Sequence, residues 1–395
     1  MPVAQAVKDV LGSSSMIRKM FEEGAELKKK FGADKIFDFS IGNPDLEPPQ
    51  AFHQTLLRIV TENATGSHGY MPNAGFPYVR EALAHKASGE HGVELDFSHI
   101  IMSVGAAGAL NTILKAVLDR GDEVIVPRPY FMEYRAYIAN HGGRLVEASS
   151  DDDFNLDIDA IQAALSEKTA AVLINSPHNP TGRVYPQSTI AALAEILLRH
   201  GGKTGRFPYL IADEPYRELV YDGLTAPPIL SAYPHSIVAT SYSKNLSLPG
   251  ERIGYIAVGP RNDDKATLID ALIYATRILG YVNAPALMQR CVAELTEVKA
   301  AVSVYAARRA AFKKVLDYAG LSYINPEGAF YIFCKAPGGF ANDDGAFVDA
   351  LKKQLILGVP GNSFGAPGWV RFAYCVSEEK IRNSAAAFKA SVSGR

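Results

Sequence analysis

Between about residue 100 and residue 258 the chain alternates short β-rich runs with longer helical patterns. No other feature narrows its fold as far. The runs are IIMSVG, DEVIVPRP, GRLVEAS, AAVLINSP, YLIADEP, SIVATSYS and GYIAVG. Helical stretches such as AAGALNTILKAVL and segment 186–200 separate several of them. Strands alternating with helices predict the α/β class, with a mostly parallel sheet covered on both faces. Ligands bind such sheets outside the carboxyl ends of the strands. The residues just after each run are therefore the first candidates for a site.

The flanks read differently. Segment 13–31 has the period of an amphipathic helix, with Met16, Met20, Phe21, Leu27 and Phe31 set among charges. IFDFSIGNPDLEPP reads as a strand fading into a Pro-rich turn, and 74–88 reads as helix. After about residue 285 come long helical runs (285–319), two isolated strands, AFYIFCK and WVRFAYCV, and a C-terminal helix. That pattern predicts a smaller α+β domain. HGGKTGRFPY (200–209) reads as a Gly-rich surface loop and SSDDDF (149–154) as an acidic one.

Composition excludes several classes. The 395 residues exceed one small core, and 48% apolar with 21% charged residues is a globular balance. A net charge of −2 provides no basic field for nucleic acid, and Lys28–Lys30 sit in a mixed-charge helix. No run of 18 apolar residues predicts a membrane span, and MPVAQAVKDV lacks the pattern of a signal peptide. Cys291, Cys334 and Cys375 are odd in number and widely spaced. They argue for a reducing, cytoplasmic compartment and against a cysteine-based zinc site. The nine histidines show no close ligand pairing, so no metal is expected.

The strand ends carry unusual chemistry. IIMSVG runs into Gly105-Ala106-Ala107-Gly108 at a helix start, where free N–H groups favour an anion, though a tight strand–helix turn would read the same way. DEVIVPRP is followed by Tyr130, Phe131 and Tyr134, which could stack on a planar ligand or belong to the core. AAVLIN ends in SPHNPTG, where two prolines and a glycine would hold Asn179 rigidly. YLIADEP places Asp213 after four residues that suit burial, and a buried carboxylate needs a cationic or hydrogen-bonding partner. SIVAT ends in Ser241, Ser243 and Lys244, with Arg252 eight residues beyond the lysine. An anion seat, an aromatic, a rigid amide, a carboxylate and a lysine describe a flat phosphorylated ligand with a basic ring nitrogen and a carbonyl. Pyridoxal phosphate fits, because a desolvated lysine has a lowered pKa and can form a Schiff base.

On these residues the chain resembles the class I/II aminotransferases, the fold type I pyridoxal phosphate enzymes. SYSKNLSLPGERIGY is similar to the family's lysine signature, S-x-S-K-x(7)-R-x-G, and NSPHNPTG and ADEPYREL are similar to two further motifs in the family's order. The resemblance implies a large domain with a seven-stranded, mostly parallel sheet over 45–284, and a smaller α+β domain from 1–44 and 285–395. It implies that Lys244 bonds to the cofactor and that Asp213 pairs with the ring nitrogen. Asn179 and Tyr216 would meet the ring oxygen, and Tyr130 would stack on the ring. The backbone at Ala106 and Ala107, with Ser241 and Arg252, would hold the phosphate, and Ser243 would also contact the cofactor. Tyr70 would reach the phosphate of a second copy, which implies a homodimer. Arg371 would grip the substrate α-carboxylate, Asn179 would also meet the substrate, and Gly42 would leave room for it.

Two departures stand out. Ala107 occupies a position where many members have a hydroxyl, and the lysine that some aspartate-using relatives carry nearby is absent. Arg277 lies about one residue off the place where another branch sets an arginine for a side-chain carboxylate; the alternative is a surface or interface arginine. The implied reaction is transfer of an amino group between an L-amino acid and a 2-oxo acid, aspartate aminotransferase-like with the donor open. A β-eliminating C–S lyase on the same fold is the alternative. GNSFG (361–365) matches a hydrolase pattern but precedes a loop and a strand rather than a helix. GKT (202–204) lacks the earlier glycine of a phosphate loop.

Overall fold

The computed structural model describes residues 3–5, 7, 8, 16–340 and 343–393. Seven strands form the main sheet: β1 (Ile100–Ser103), β2 (Glu123–Pro127), β3 (Arg144–Ala148), β4 (Thr169–Asn175), β5 (Tyr209–Asp213), β6 (Ser236–Ser241) and β7 (Gly254–Val258). Their order is β1-β7-β6-β5-β4-β2-β3. Strand β7 runs antiparallel to both its neighbours and the other pairings are parallel. Every residue of β4 is buried, as is every residue of β2 and β7. That is why these runs read as unbroken apolar stretches rather than alternating ones.

Helices cover both faces. One core packs Val79, Leu83, Ile190, Leu193 and Leu197 against Ile125, Val172 and Leu210. The other packs Leu110, Ile113, Leu114, Leu268 and Leu272 against Val126, Leu173 and Ile256. A third core gathers Phe39, Phe312, Phe330, Phe372 and Phe388 beneath a four-stranded sheet. In that sheet Tyr331–Lys335 pairs antiparallel with Trp369–Ala373, and Phe333 faces Arg371 in register. Tyr216, Leu219 and Tyr221, which come after β5, pack into this third core and tie it to the main sheet.

The structure revises the Gly-rich loop expected at 200–209. The helix expected at 186–200 runs over Gln187–Thr204, so the first residues of the expected Gly-rich loop are helical. Gly201 makes this possible, because the Phe207 ring lies 2.1 Å from where a Cβ would stand. Gly205, with φ of 75°, ends the helix in the left-handed conformation that glycine tolerates best. The helical runs expected within 285–319 are two helices, Ala286–Ala293 and Val302–Ala319. In the N-terminal helix, Met16–Phe31 is described while 13–15 and the side chains of Met16, Met20 and Phe21 lie outside the described residues. GNSFG forms a short turn leading to the Trp369–Ala373 strand, with no helix behind Ser363.

Candidate active site

A cavity of about 280 Å³ opens at the carboxyl ends of β4, β5 and β6. Ser243 and Lys244 reach it from just past β6, Asp213 ends β5, and Asn175 ends β4. Across it stand Ser40, Ile41 and Gly42 with Tyr331 and Arg371. The main sheet supplies one wall, and the four-stranded sheet with the Gly42 segment supplies the other.

Lys244 Nζ donates to the Gly42 carbonyl at 2.7 Å. Burial pulls its pKa down to about 8, and Arg371 and Arg252 push the same way. Cys375 and Asp213 oppose them. The Cys375 thiol, however, is itself pushed up to about 12 by burial, so it is uncharged near pH 7 and does not support the ammonium there.

Asp213 is fully inside. Tyr134 donates to its Oδ2 at 2.5 Å, while Oδ1 is buried with no partner. Burial raises the Asp213 pKa to about 6, opposed by the Tyr134 hydrogen bond and by Lys244. An unpaired buried carboxylate oxygen costs stability. Here the carboxylate lines the cavity where a cationic ring N–H would satisfy that oxygen.

The SPHNPTG loop is held by side chain–backbone bonds. Asn175 donates to the Asp213 carbonyl at 2.7 Å and accepts from the Asn179 N–H at 2.7 Å. Asn179 Oδ1 accepts from Arg371 Nη1 at 3.0 Å. Arg371 Nη2 donates to the Ser40 carbonyl at 2.8 Å, and Arg371 Nε is buried without a partner. The guanidinium lies 4.5 Å from the Tyr331 ring centre and 4.9 Å from that of Phe364.

The anion seat is assembled from three elements. The helix Gly105–Val117 starts at the cavity with Ala106 and Ala107 in its wall. Ser241 and Ser243 are buried beside it. Arg252, in the left-handed region at φ 52°, is braced by the Pro249 carbonyl at 2.8 Å. Gly105 takes φ of 74°, where a side chain is strained, and a Cβ there would stand 2.9 Å from Arg252 Nη2 and shift the guanidinium. A helix N-terminus, two hydroxyls and a guanidinium suit a phosphate. The residues present thus fit pyridoxal phosphate at its ring nitrogen and at its phosphate.

The structure brings together Gly42, Ala106, Ala107, Asn179, Asp213, Tyr216, Ser241, Ser243, Lys244, Arg252 and Arg371 around one cavity. Tyr130 is corrected. Its hydroxyl bonds Glu147 at 2.8 Å and Arg135 at 2.5 Å, and it is Phe131 that lines the cavity, with Tyr137. The polar pair holds the Tyr130 hydroxyl, and Phe131, one residue along, is the aromatic of that turn at the cavity wall. Gly42 lines the cavity, and the Tyr331 hydroxyl sits 2.0 Å from where its Cβ would be, so Tyr331 fills the space beside that missing side chain. Tyr70 is 94% exposed, and Arg277 packs on Tyr274 outside the cavity. Sequence reasoning missed Tyr331 and the Tyr134–Asp213 bond. Tyr134 stood in the aromatic run after β2, but only the fold shows which of those aromatics meets the carboxylate.

Known proteins resemble this chain along nearly its whole length. The family model "Aminotransferase class I and II" matches residues 34–388. The chain is 33% identical over 391 residues to a probable aspartate/prephenate aminotransferase of Thermus aquaticus, covering 97% of each. It is 29% identical to the aspartate aminotransferase of Geobacillus stearothermophilus, again over 97% of each. Among solved structures, an amino transferase from Eubacterium rectale superposes with a TM-score of 0.94 at 38% identity, over 99% of this chain and 98% of that one. Aspartate aminotransferase of Thermus thermophilus with maleate gives 0.87 at 28% identity, over 99% and 100%.

Proposed function

This chain belongs to the class I and II aminotransferase family, and on that premise we propose that Lys244, Asp213 and Arg371 carry its reaction. It is a pyridoxal-phosphate-dependent enzyme that moves an amino group between an amino acid and a 2-oxo acid. The lyase alternative gains no support from these relatives. The observation that carries the assignment of roles is the meeting in one cavity of a lysine of depressed pKa, an unpartnered buried carboxylate oxygen and a buried arginine.

When bound, pyridoxal phosphate supplies a cationic ring that withdraws electrons from the substrate Cα–H bond. Asp213 Oδ1 would hold the ring nitrogen's proton, with Tyr134 fixing the carboxylate from behind. The start of the Gly105–Val117 helix, Ser241, Ser243 and Arg252 would hold the phosphate. Asn179 and Tyr216 would bond the ring oxygen, and Phe131 would provide the aromatic wall. Arg371 would bind the α-carboxylate as a planar fork, which lysine cannot imitate. With a pKa of about 8, Lys244 is near enough to neutral pH for its Nζ to take the Cα proton and pass it on.

The proposed donor is a dicarboxylic amino acid of the aspartate type, which the relatives' names support. Among the described residues lining the cavity the cations are Lys244, Arg252 and Arg371. With those three engaged, a side-chain carboxylate needs a cation from a second copy. We assign that role to Arg277, on an exposed helix face, in a homodimer that also brings Tyr70 to the partner's phosphate. We read 45–284 as the large domain and 1–44 with 285–395 as the small one; the third core, which gathers Phe39 with Phe312, Phe372 and Phe388, supports the second unit, while Met288, Cys291, Val292 and Leu295 pack into the main-sheet core. A cytoplasmic location is supported by the three free cysteines. Among the described residues no helix is long and apolar enough to cross a membrane.

The test is the visible spectrum of the purified holoenzyme with single amino acids. Aspartate should bleach the cofactor band and a 2-oxo acid should restore it, while Lys244→Ala should lose at least about a thousandfold in turnover. A Lys244→Ala protein that still transaminates near the wild-type rate would sink the assignment. A band bleached by aromatic donors and not by aspartate would overturn the donor.

A further inference from the structure

Tyr331 has no part in the proposed reaction, yet it touches two groups that do, Tyr216 and Arg371. It opens the Tyr331–Lys335 strand, is 3% exposed and lines the cavity. Its hydroxyl is 2.8 Å from that of Tyr216. Its ring carries the Arg371 guanidinium at 4.5 Å. Its hydroxyl fills the space that any side chain on Gly42 would need.

We propose that Tyr331 is a positioning residue for both ends of the site: its ring holds Arg371 for the substrate carboxylate, and its hydroxyl donates to Tyr216 so that Tyr216 donates to the cofactor's ring oxygen. This rests on the proposed role of Tyr216 as a partner of that oxygen. A phenol has one proton to donate and lone pairs to accept with. Once the Tyr216 proton is committed to an anionic ring oxygen, its own oxygen can only accept. Tyr331 is the hydroxyl placed to supply that bond. Linked hydroxyls polarise each other, so the bond makes Tyr216 a stronger donor. At the other end, the bonds to Asn179 and Ser40 fix Nη1 and Nη2 in the guanidinium plane. The Tyr331 and Phe364 rings lie within cation–π range and restrain the group further. Gly42 is a condition of the arrangement, since a side chain there would evict the Tyr331 hydroxyl.

The experiment titrates the visible band of the bound cofactor with pH in four holoenzymes: wild type, Tyr331→Phe, Tyr216→Phe and the double variant. A donor to the ring oxygen draws off negative charge that would otherwise retain the neighbouring proton, so losing the donor raises the midpoint. Tyr331→Phe should raise it by about half a pH unit, with the KM for the amino acid little changed because the ring remains. Tyr331→Leu, which loses ring and hydroxyl, should show the same shift and a KM about tenfold higher. The double variant should titrate like Tyr216→Phe alone, since the hydroxyl acts through Tyr216.

An unmoved midpoint in Tyr331→Phe beside a shifted one in Tyr216→Phe overturns the proposal. So does an additive double variant, or an unchanged KM in Tyr331→Leu. If Tyr216→Phe itself fails to shift the midpoint, the reading of Tyr216 has failed first. Should Tyr331→Phe not fold, Gly42→Ala displaces the same hydroxyl and should reproduce the shift, and its failure to do so counts against the proposal.

Discussion

Asp213 shows what the site costs at the scale of one residue. Its pKa of about 6 lies above the ordinary 3.8 because burial penalises the anion. The sign comes from linkage. Between those two values the folded state holds a proton that the unfolded state has released, so stability falls as pH rises through that window. The penalty is absent below about pH 4 and complete above about pH 6. Asp213→Asn removes it. In the absence of cofactor this variant should be more stable than wild type at pH 8, on the order of 3 kcal/mol, with the gain shrinking towards pH 4. Thermal melts at the two pH values measure this, and a gain of equal size at both would contradict it. The same variant should lose nearly all turnover. Stability is given up here for a charge that the cofactor needs, and Tyr134 confines the cost to one oxygen.

At the scale of elements, the phosphate seat is a junction of a strand end, a helix start and the turn before β7. Gly105 stands at that junction with φ of 74° and Arg252 against its α-carbon. Gly105→Ala would force both a left-handed alanine and a displaced guanidinium. We expect a stability loss of about 1–2 kcal/mol and cofactor affinity about tenfold weaker, read by equilibrium dialysis. Gly202 is the contrast. It lies near the end of the Gln187–Thr204 helix with open space around its α-carbon. Gly202→Ala should raise stability by up to about 1 kcal/mol and leave cofactor affinity alone. A destabilised Gly202→Ala would mean that the helix ends earlier, as the glycines and lysine of HGGKTG suggest on their own.

At the scale of the whole molecule, Tyr70 and Arg277 have no partner chemistry within their own chain's cavity. Tyr70 is almost fully exposed, and Tyr274 and Ile278 are further exposed apolar residues. On the homodimer reading Tyr70 and Arg277 would each work in the site of the second copy. Mixing and reassembling Lys244→Ala with Tyr70→Ala chains should then build hybrid dimers with one intact site each, restoring roughly a quarter of wild-type activity. Activity no greater than the sum of the two parents would place Tyr70 outside catalysis or in its own chain's site. Sedimentation should meanwhile give the mass of a dimer.

The strand–helix alternation, the parallel sheet and the placing of Lys244, Asp213, Asn179 and Arg252 at strand ends were all legible in the sequence. Each depends on local order: apolar runs make buried strands, and residues next to a strand in the chain stay next to it in space. Arg371 was legible only through resemblance, because it reaches the cavity from a different sheet. The tertiary structure alone decided which side chains meet across long loops. It chose Phe131 over Tyr130 for the cavity wall, set Tyr134 behind Asp213 and filled the space over Gly42 with Tyr331. A one-residue choice in a turn depends on which hydroxyl finds a polar partner, here Glu147 for Tyr130. A contact between residues 42 and 331 depends on the loop after Phe37–Asp38 packing against the four-stranded sheet. Neither is written in any local pattern, because the free energy that selects them comes from groups brought together only when the chain has folded.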